Sequence, residues 1–321
     1  MKFSRVALIL ALSCAAAPAV SQSAVSQYPT KPVRMVVGFV AGGPTDALAR
    51  LYAARLGERL GQQVVVENRG GADGVIAADA VAKSAPDGYT LFFASAGHAI
   101  NASLYKSVPY RTVEDFEAVI RIGESPNLIA VTPSLPAGDV KQFIALAKAK
   151  PGALNYGATS SPTHLATELF ASMAGIQLTR IPYKGAAPAM TALMAGDVQM
   201  VLSGIGTMLP QVKGGRLKAI AVTGSARSPL APEIPTVAEA GIGFVATTWY
   251  GLMAPAGLPR PIVERLNKDT RALLGDEAVK TALAPQGVVA TPSTPEEFRD
   301  FLRAEVAKWA KVVQDTGAKV E

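Results

Sequence analysis

The sequence has a single cysteine, Cys14, and it lies within the first 21 residues. Once those residues are removed, the chain can form no disulfide and offers no thiol nucleophile. Beyond residue 21, no apolar run reaches the roughly 18 residues that a membrane-spanning helix needs. We therefore expect that the hydrophobic core, and not disulfides, holds the mature protein together. We also expect no membrane-spanning helix after residue 21.

Charge is also sparse, since charged residues make up 17% of the chain. The formal net charge is +6, and losing the two cations Lys2 and Arg5 with the leader would leave +4. No stretch clusters several lysines or arginines with interleaved aromatic residues, as nucleic-acid-binding segments do. We expect no nucleic-acid partner.

Motifs for catalysis and metal binding are missing as well. The chain has no G-x-S-x-G elbow, no P-loop, no H-E-x-x-H helix and no cluster of Cys and His. Ser161 and His164 are conceivable as nucleophile and base, but three residues apart at a helix start they favour a capping role. We expect no enzymatic activity, no cofactor and no metal, and a secreted hydrolase is the least favoured alternative.

Residues 1–21 have the features of a secretory signal peptide. A basic start, MKFSR, precedes the apolar stretch VALILALSCAAAPAV, and Ala17-Pro18-Ala19 fits a cleavage site, with Ser21 as an alternative. Acylation of Cys14 would make the protein a lipoprotein, but the preceding ALS is a poor match for that processing. These features predict a periplasmic protein.

Strands and helices alternate along the rest of the chain. Val-rich runs at 33–39 and 63–68 flank a helical pattern that Gly61 ends, and a small-residue helix leads to a strand at 89–95. The alternation resumes near residue 126 and continues to a strand at 217–224. Parallel β-α-β units predict an α/β fold with two mostly parallel sheets flanked by helices.

The length favours two lobes, because about 295 residues are near the upper limit for one core. The strand 247–255 and a last helix with the capping box Thr294 to Glu297 are predicted to return to the first lobe. The expected domains are residues 28–123 plus 252–321 for lobe 1 and residues 124–251 for lobe 2. Two crossings, near 120–126 and 245–252, predict a hinge beside a ligand cleft.

Two helix starts share a plan of two small residues followed by Pro-Thr. Gly42-Gly43-Pro44-Thr45 follows the first strand, and Ser160-Ser161-Pro162-Thr163 follows a strand of the second lobe. A helix start has free N–H groups and a partial positive charge, so it can hold a carboxylate without a basic side chain. Facing each other, the two starts would hold both ends of a dicarboxylate. The alternative is that both turns only cap their helices.

Four further side chains have two interpretations each. Asp46, near the third helical position, favours closing its own cap over contact with a ligand. His98 and His164 both follow strand ends, so either could line the cleft or form a structural hydrogen bond. Lys184 is either the single cation near the ligand or an ordinary solvated lysine.

Segments along essentially the whole mature chain carry a resemblance to a known family. They include YPTKPVRMVVGF, AGGPTDALARLYAARLGERLGQQVVVENRGGADG, IPYKGAAPAMTALMAGDVQM and WYGLMAPAGLP. The chain resembles the Bug family, the extracytoplasmic solute receptors of tripartite tricarboxylate transporters. The resemblance implies a two-lobed, type II-like periplasmic binding protein that closes on a small mono- or dicarboxylate, an amino acid or an aromatic acid. It would deliver that ligand to membrane permease subunits, or alternatively signal to a sensor kinase, and we expect it to be a monomer.

By position, the resemblance implies that the ligand contacts loops of both lobes. The implied residues are Ala41, Gly42, Gly43, Thr45, Asp46, Ser95, Gly97, His98, Asn101, Thr159, Ser160, Ser161, Thr163, His164, Tyr183, Lys184, Gly185 and Ser203. Two departures lie at the expected ligand position: VAGG replaces the family's usual APGG, and Ser203 lies where an aspartate or asparagine is common. No particular substrate is therefore transferred from the family.

Overall fold

The computed structural model describes residues 27–319, so the predicted signal peptide lies outside the described residues. The strands are β1 (Val33–Val37), β2 (Val64–Asn68), β3 (Thr90–Ser95), β4 (Phe116–Val131), β5 (Asn155–Ala158), β6 (Thr179–Pro182), β7 (Met200–Gly204), β8 (Lys218–Val222), β9 (Thr247–Pro255) and β10 (Val289–Ala290). The helices are α1 (Pro44–Leu60), α2 (Val75–Ala82), α3 (Ala96–Leu104), α4 (Val140–Ala149), α5 (Ser161–Ala174), α6 (Ala186–Ala195), α7 (Ile205–Lys213), α8 (Arg260–Gly275), α9 (Glu277–Leu283) and α10 (Pro295–Thr316). The predicted α/β fold is confirmed.

The first lobe is built on a sheet in the order β2–β1–β3–β9–β4. β1 is parallel to β2 and β3, whereas β9 is antiparallel to both of its neighbours. The second lobe is built on the end of β4 with β7, β5 and β6, and β8 also pairs with β4. β5 is parallel to β6 and β7. The carboxyl ends of β1, β5 and β7 therefore each lead into a helix start.

β4 is one continuous strand that belongs to both sheets. Its residues 116–126 pair with β9, and its residues 127–131 pair with β7 and β8. The sequence prediction missed the part before residue 126, because Glu117, Arg121 and Glu124 interrupt the apolar pattern. Each of these charged residues has a partner: Arg299 binds Glu117, the Phe301 ring lies under the Arg121 guanidinium, and Thr247 donates to Glu124.

The last helix, α10, packs on the first lobe as predicted. Phe298, Leu302 and Trp309 are buried in a cluster with side chains of β3 and α3. The predicted capping box is present: the Thr294 hydroxyl accepts from the Glu297 amide at 3.1 Å, and the Glu297 carboxylate accepts from the Thr294 amide at 2.8 Å. No helix within residues 27–319 combines the length and the apolar character needed to cross a membrane.

Candidate functional site

A cavity of about 390 Å³ lies between the two sheets, and both lobes form its wall. The lining residues are Phe39, Val40, Ala41, Gly42, Gly43, Pro44, Thr45, Leu48, Ser95, Ser125, Asn127, Thr159, Ser160, Pro162, Thr163, Lys184, Gly185, Ala186, Ala187, Pro188, Met190, Ser203, Gly204, Gly206, Thr207, Thr248, Tyr250, Gln286 and Val288. Lys184 is the only charged side chain among them, in the part of the chain that the structure describes. The wall is otherwise made of small, hydroxyl and apolar groups.

Five of the described helices begin at this cavity, namely α1, α3, α5, α6 and α7. Their N-cap residues, Gly43, Ser95, Ser160, Gly185 and Gly204, all line it, and none of them makes a side-chain capping hydrogen bond. The first N–H groups of a helix have no partner within the helix and carry its positive dipole. The cavity is therefore surrounded by donors that favour an anion.

Helices that begin elsewhere show the contrast. α4, α9 and α10 begin away from the cavity, and their N-cap side chains, Asp139, Asp276 and Thr294, accept a hydrogen bond from the first turn. α2 and α8 begin after Gly74 and Pro259, which have no side chain able to cap. Ser95 and Ser160 could cap but do not, and at the start of α5 the Ser161 amide donates to the Asp73 carboxylate instead.

Hydrogen bonds to the Asp46 carboxylate hold the loop before α1 in place. Asp46 is buried, and its carboxylate accepts from the Gly42 amide at 2.8 Å, from Arg50 Nε at 3.0 Å and from Asn68 Nδ2 at 2.8 Å. Burial acts to raise the pKa of Asp46, but the hydrogen bonds from Arg50, Gly42 and Asn68 outweigh it and hold the pKa below its usual range. Asp46 does not line the cavity, and its role is the capping role that the sequence favours.

Residues of β9 and β4 also line the cavity near the start of α1, and the sequence did not predict them as part of the site. Tyr250 of β9 is buried, burial raises its pKa to about 12, and a hydrogen bond with the Thr45 side chain acts in the opposite direction. Ser125 and Asn127 of β4 are two residues apart, so both side chains lie on one face of the strand. A polar pair at this spacing in an apolar strand is the pattern that could have revealed them.

The hydroxyls before α5 bond mainly to one another. Thr163 Oγ1 lies 2.9 Å from Thr159 Oγ1 and 3.1 Å from Ser160 Oγ. It also donates to the Ser160 carbonyl at 3.1 Å. The three residues line the cavity, but the Thr163 hydroxyl already has partners in its own turn.

Ser161 and His164 lie outside the cavity wall. The Ser161 amide and hydroxyl donate to the Asp73 carboxylate, whereas His164 Nδ1 is 2.7 Å from the Tyr156 hydroxyl. Burial, together with Arg180, lowers the pKa of His164 to about 4. No hydrogen bond between Ser161 and His164 is found in the described structure, so the pair is not arranged as nucleophile and base.

The segment from Ser95 to Asn101, expected as a loop, is the N-cap and first turns of α3. This correction has a simple reason: Ala96, Gly97 and Ala99 are small enough to continue directly from β3 into a packed helix. His98 packs among aromatic rings and its Nε2 lies 2.9 Å from the Thr112 carbonyl, and burial lowers its pKa to about 4. Of this segment, only Ser95 lines the cavity.

The structure brings eleven of the predicted residues to the cavity wall: Ala41, Gly42, Gly43, Thr45, Ser95, Thr159, Ser160, Thr163, Lys184, Gly185 and Ser203. It places seven others behind that wall: Asp46, Gly97, His98, Asn101, Ser161, His164 and Tyr183. Ser161, Tyr183 and His164 line a separate cavity of about 130 Å³. Within residues 27–319, no group of three or more His, Cys, Asp or Glu side chains is placed to hold a metal ion.

Comparison with known proteins decides the family. The family model described as "Tripartite tricarboxylate transporter family receptor" matches residues 48–318. The chain belongs to this receptor family. Protein BugT of Bordetella pertussis is 39% identical over an alignment of 326 positions, which covers all of both chains. The resemblance to the Bug family is confirmed.

Solved structures of the family have the same fold. The structure of R. palustris Rpa4515 with adipate has a TM-score of 0.85 and 40% identity, covering 90% of this chain and 98% of that one. MatC from Rhodopseudomonas palustris with bound malate has a TM-score of 0.81 and 32% identity, covering 89% and 100%. The periplasmic binding protein BugD has a TM-score of 0.83 and 33% identity, covering 92% and 100%. The chain therefore has the two-lobed fold of periplasmic binding proteins.

Proposed function

We propose that the protein is a periplasmic receptor that captures a small dicarboxylate between its lobes and delivers it to membrane permease subunits of a tripartite transporter. The observation that carries this proposal is the convergence of five helix starts without side-chain caps on one cavity. The N–H groups at the starts of α1, α3, α6 and α7 supply donors for carboxylate oxygens, and the Lys184 ammonium adds one positive charge. At the start of α5, the Ser161 amide already donates to the Asp73 carboxylate. Relatives solved with adipate and with malate support a ligand of this class.

The wall composition further favours a ligand without an amine. No aspartate or glutamate is among the described residues that line the cavity, and the nearby Asp46 carboxylate already accepts three hydrogen bonds. An ammonium group buried there would lack a counter-charge, which is costly. Phe39, Leu48, Met190 and Val288 add apolar surface, which suits the carbon chain between two carboxylates.

Binding is proposed to occur without chemical change. The contacts of Ser161 and His164 support this, because each side chain bonds to a different partner and neither lines the main cavity. Ligand would leave as it entered, when the lobes open. We further propose that the protein acts as a monomer in the periplasm.

Closure is proposed to be a hinge motion of residues 28–123 plus 252–321 against residues 124–251. Both boundaries fall inside β4 and β9, which pair with each other. The register of this pair shifts between Ala118 and Ile120 and again between Arg121 and Gly123, close to the proposed crossing. Irregular pairing bends strands and weakens the ladder locally, so these strands can absorb a rotation. Saturating ligand should decrease the radius of gyration measured by X-ray scattering.

The ligand proposal is tested by calorimetry with adipate, malate and aspartate, after mass spectrometry of any small molecule that copurifies from periplasm. We expect binding of at least one of the two amine-free dicarboxylates and much weaker binding of aspartate. Tight binding of aspartate alone would contradict the amine-free assignment. Hydrolysis of an ester or amide, with no dicarboxylate bound, would contradict the receptor function itself.

The partner is tested separately by crosslinking the ligand-loaded protein to membranes of its own cell. Capture of permease subunits is the expected result. Capture of a membrane sensor kinase instead would assign the same binding event to signalling.

A further inference from the structure

A direct contact joins the two lobes beside the cavity. Asp73 lies in the turn Ala72–Gly74 of the first lobe, between β2 and α2, and Ser161 is the first residue of α5 in the second lobe. The Asp73 carboxylate accepts from the Ser161 amide at 3.2 Å, and the Ser161 hydroxyl donates to the same oxygen, Oδ2. The chain's own acid thus occupies the start of α5, the helix that the sequence assigned to the ligand.

The turn that presents Asp73 has an unusual backbone. Ala72 and Asp73 have φ values of 46° and 49°, in the left-handed region that most residues avoid. Asn101 of α3 donates to the Asp73 carbonyl at 3.0 Å and so supports the turn from behind. Such conformations cost free energy and persist only where the surroundings hold them. The first lobe therefore holds the Asp73 side chain out toward α5.

The surrounding surfaces fit together across the same boundary. Leu165 of α5 is fully buried in a cluster formed mostly by side chains of the first lobe, including Phe92 and Trp309. A methyl group placed on Gly97 of the first lobe would lie 3.8 Å from Pro162 Cγ of the second. The Asp73 contact is therefore part of a packed interface between the two lobes.

We propose that Asp73 is an interlobe latch, which stabilises the closed form by supplying a carboxylate to the start of α5. Charge-assisted hydrogen bonds at a helix start are among the stronger polar contacts. This latch rests on the proposed closure of the lobes but not on the identity of the ligand. The free protein then populates the closed form in part, and this population raises the apparent affinity for ligand.

The latch also affects where a dicarboxylate can bind. Two carboxylates at one helix start repel each other, so the ligand's second carboxylate is directed away from α5. The starts of α6 and α7, which also line the second-lobe side, remain for it. Ser161 therefore contributes to binding through closure and not through contact with the ligand.

The test measures distances in the ligand-free protein. Spin labels are attached to cysteines introduced at Val65, on the exposed edge of the first sheet, and at Met173, on the exposed side of α5. The closed population is the one at the distance that this structure gives for the two sites. Asp73→Gly removes the carboxylate but tolerates the left-handed backbone, and Ser161→Ala removes the hydroxyl. We expect both variants to lower the closed-to-open ratio by about tenfold, with effects that do not add.

Asp139→Ala is the matched control, because Asp139 caps α4 wholly within the second lobe. It should lower thermal stability while leaving the distance distribution unchanged. A closed population that is absent from the wild type, or equal in the wild type and both latch variants, would overturn the latch. Failure of every dicarboxylate to bind would contradict the proposed function, and it would not change these ligand-free distances.

Discussion

The Asp46 carboxylate accepts a hydrogen bond from the backbone amide of Gly42, with 2.8 Å between Asp46 Oδ2 and Gly42 N. The contact turns the loop back onto the first turn of α1 while Gly42 has a φ of 81°, which glycine adopts without strain. Arg50 balances the charge of Asp46, with Nε at 3.0 Å from Oδ2. An internal ion pair thus fixes the loop, and the amides that follow Gly42 stay available to a ligand.

The first prediction is that Asp46→Ala weakens both stability and binding. The substitution leaves the Gly42 amide without its acceptor and removes one of the two acceptors of the Asn68 amide group. A broken buried hydrogen-bond network costs about 2–3 kcal/mol of unfolding free energy. Because the loop loses its anchor, dicarboxylate affinity should fall as well. Chemical denaturation and calorimetry measure the two effects. Asp300→Ala, on the exposed face of α10, is the control and should change neither.

Unchanged affinity in a destabilised Asp46→Ala variant would mean that the loop before α1 does not meet the ligand. The starts of α6 and α7 would then be the expected contacts of the ligand.

The second prediction is that Gly43→Val blocks binding with little loss of stability. Gly43 has a φ of −80°, and a Cβ there would meet only the Val40 carbonyl oxygen, at 3.6 Å. The backbone therefore accepts a side chain, but the valine methyls would enter the cavity. Affinity for dicarboxylate should fall by more than about tenfold, or 1.4 kcal/mol. The loss of unfolding free energy should be about 1 kcal/mol or less.

Gly61→Val is the matched control on the same helix. Gly61 ends α1 with a φ of 70°, so a side chain strains the backbone although nothing lies in its way. It should cost more stability than Gly43→Val and leave affinity unchanged. If Gly43→Val binds as tightly as the wild type, the turn before α1 is only a helix start.

Sequence patterns predicted those helix limits and turns that depend on residues close together in the chain. The limits of α1 followed from apolar spacing and from Gly61, and the start of α10 followed from the capping box at Thr294. The turn at Gly42 and Gly43 was identified because two glycines before Pro-Thr have few other uses. Each of these features depends on residues within about one helical turn.

The missed parts of the cavity wall depend on contacts that are distant in sequence. Tyr250 reaches α1 only because β9 inserts between β3 and β4, and no local pattern predicts that strand order. The start of α7 was not predicted, because its N-cap residue, Gly204, has no side chain that marks a helix start. Conversely, Ser161 looked available for a ligand, and only the fold shows Asp73 beside it.

The third prediction concerns pH. Burial lowers the pKa of His98, and burial together with Arg180 lowers that of His164, to about 4, so both are neutral in the folded protein near pH 7 and are protonated more readily in the unfolded chain. Stability is therefore fully present above the unfolded pKa near 6.5 and is lost as pH falls toward 4. Between pH 7 and pH 5, each histidine should cost about 2 kcal/mol of unfolding free energy.

Denaturation of the wild type, His98→Phe and His164→Gln at these two pH values measures the contribution. His98→Phe keeps an aromatic ring beside Tyr110 and Phe116 but cannot titrate. Each variant should lose less stability than the wild type between pH 7 and pH 5. Equal losses in all three proteins would show that other groups cause the acid sensitivity.

The last prediction compares the contribution of the helix N–H groups to ligand binding with that of the Lys184 ammonium group. Lys184 is exposed, and charge pairs at exposed positions contribute at most about 1 kcal/mol. Lys184→Gln should therefore weaken dicarboxylate binding by only about two- to fivefold and reduce its dependence on salt concentration. Lys141→Gln, on the exposed face of α4 and outside the cavity, is the control and should change neither quantity. Calorimetry from low to physiological salt makes the comparison. If Lys184→Gln abolishes binding, the ammonium group and not the helix N–H groups supplies the positive potential, and the site depends on a single ion pair.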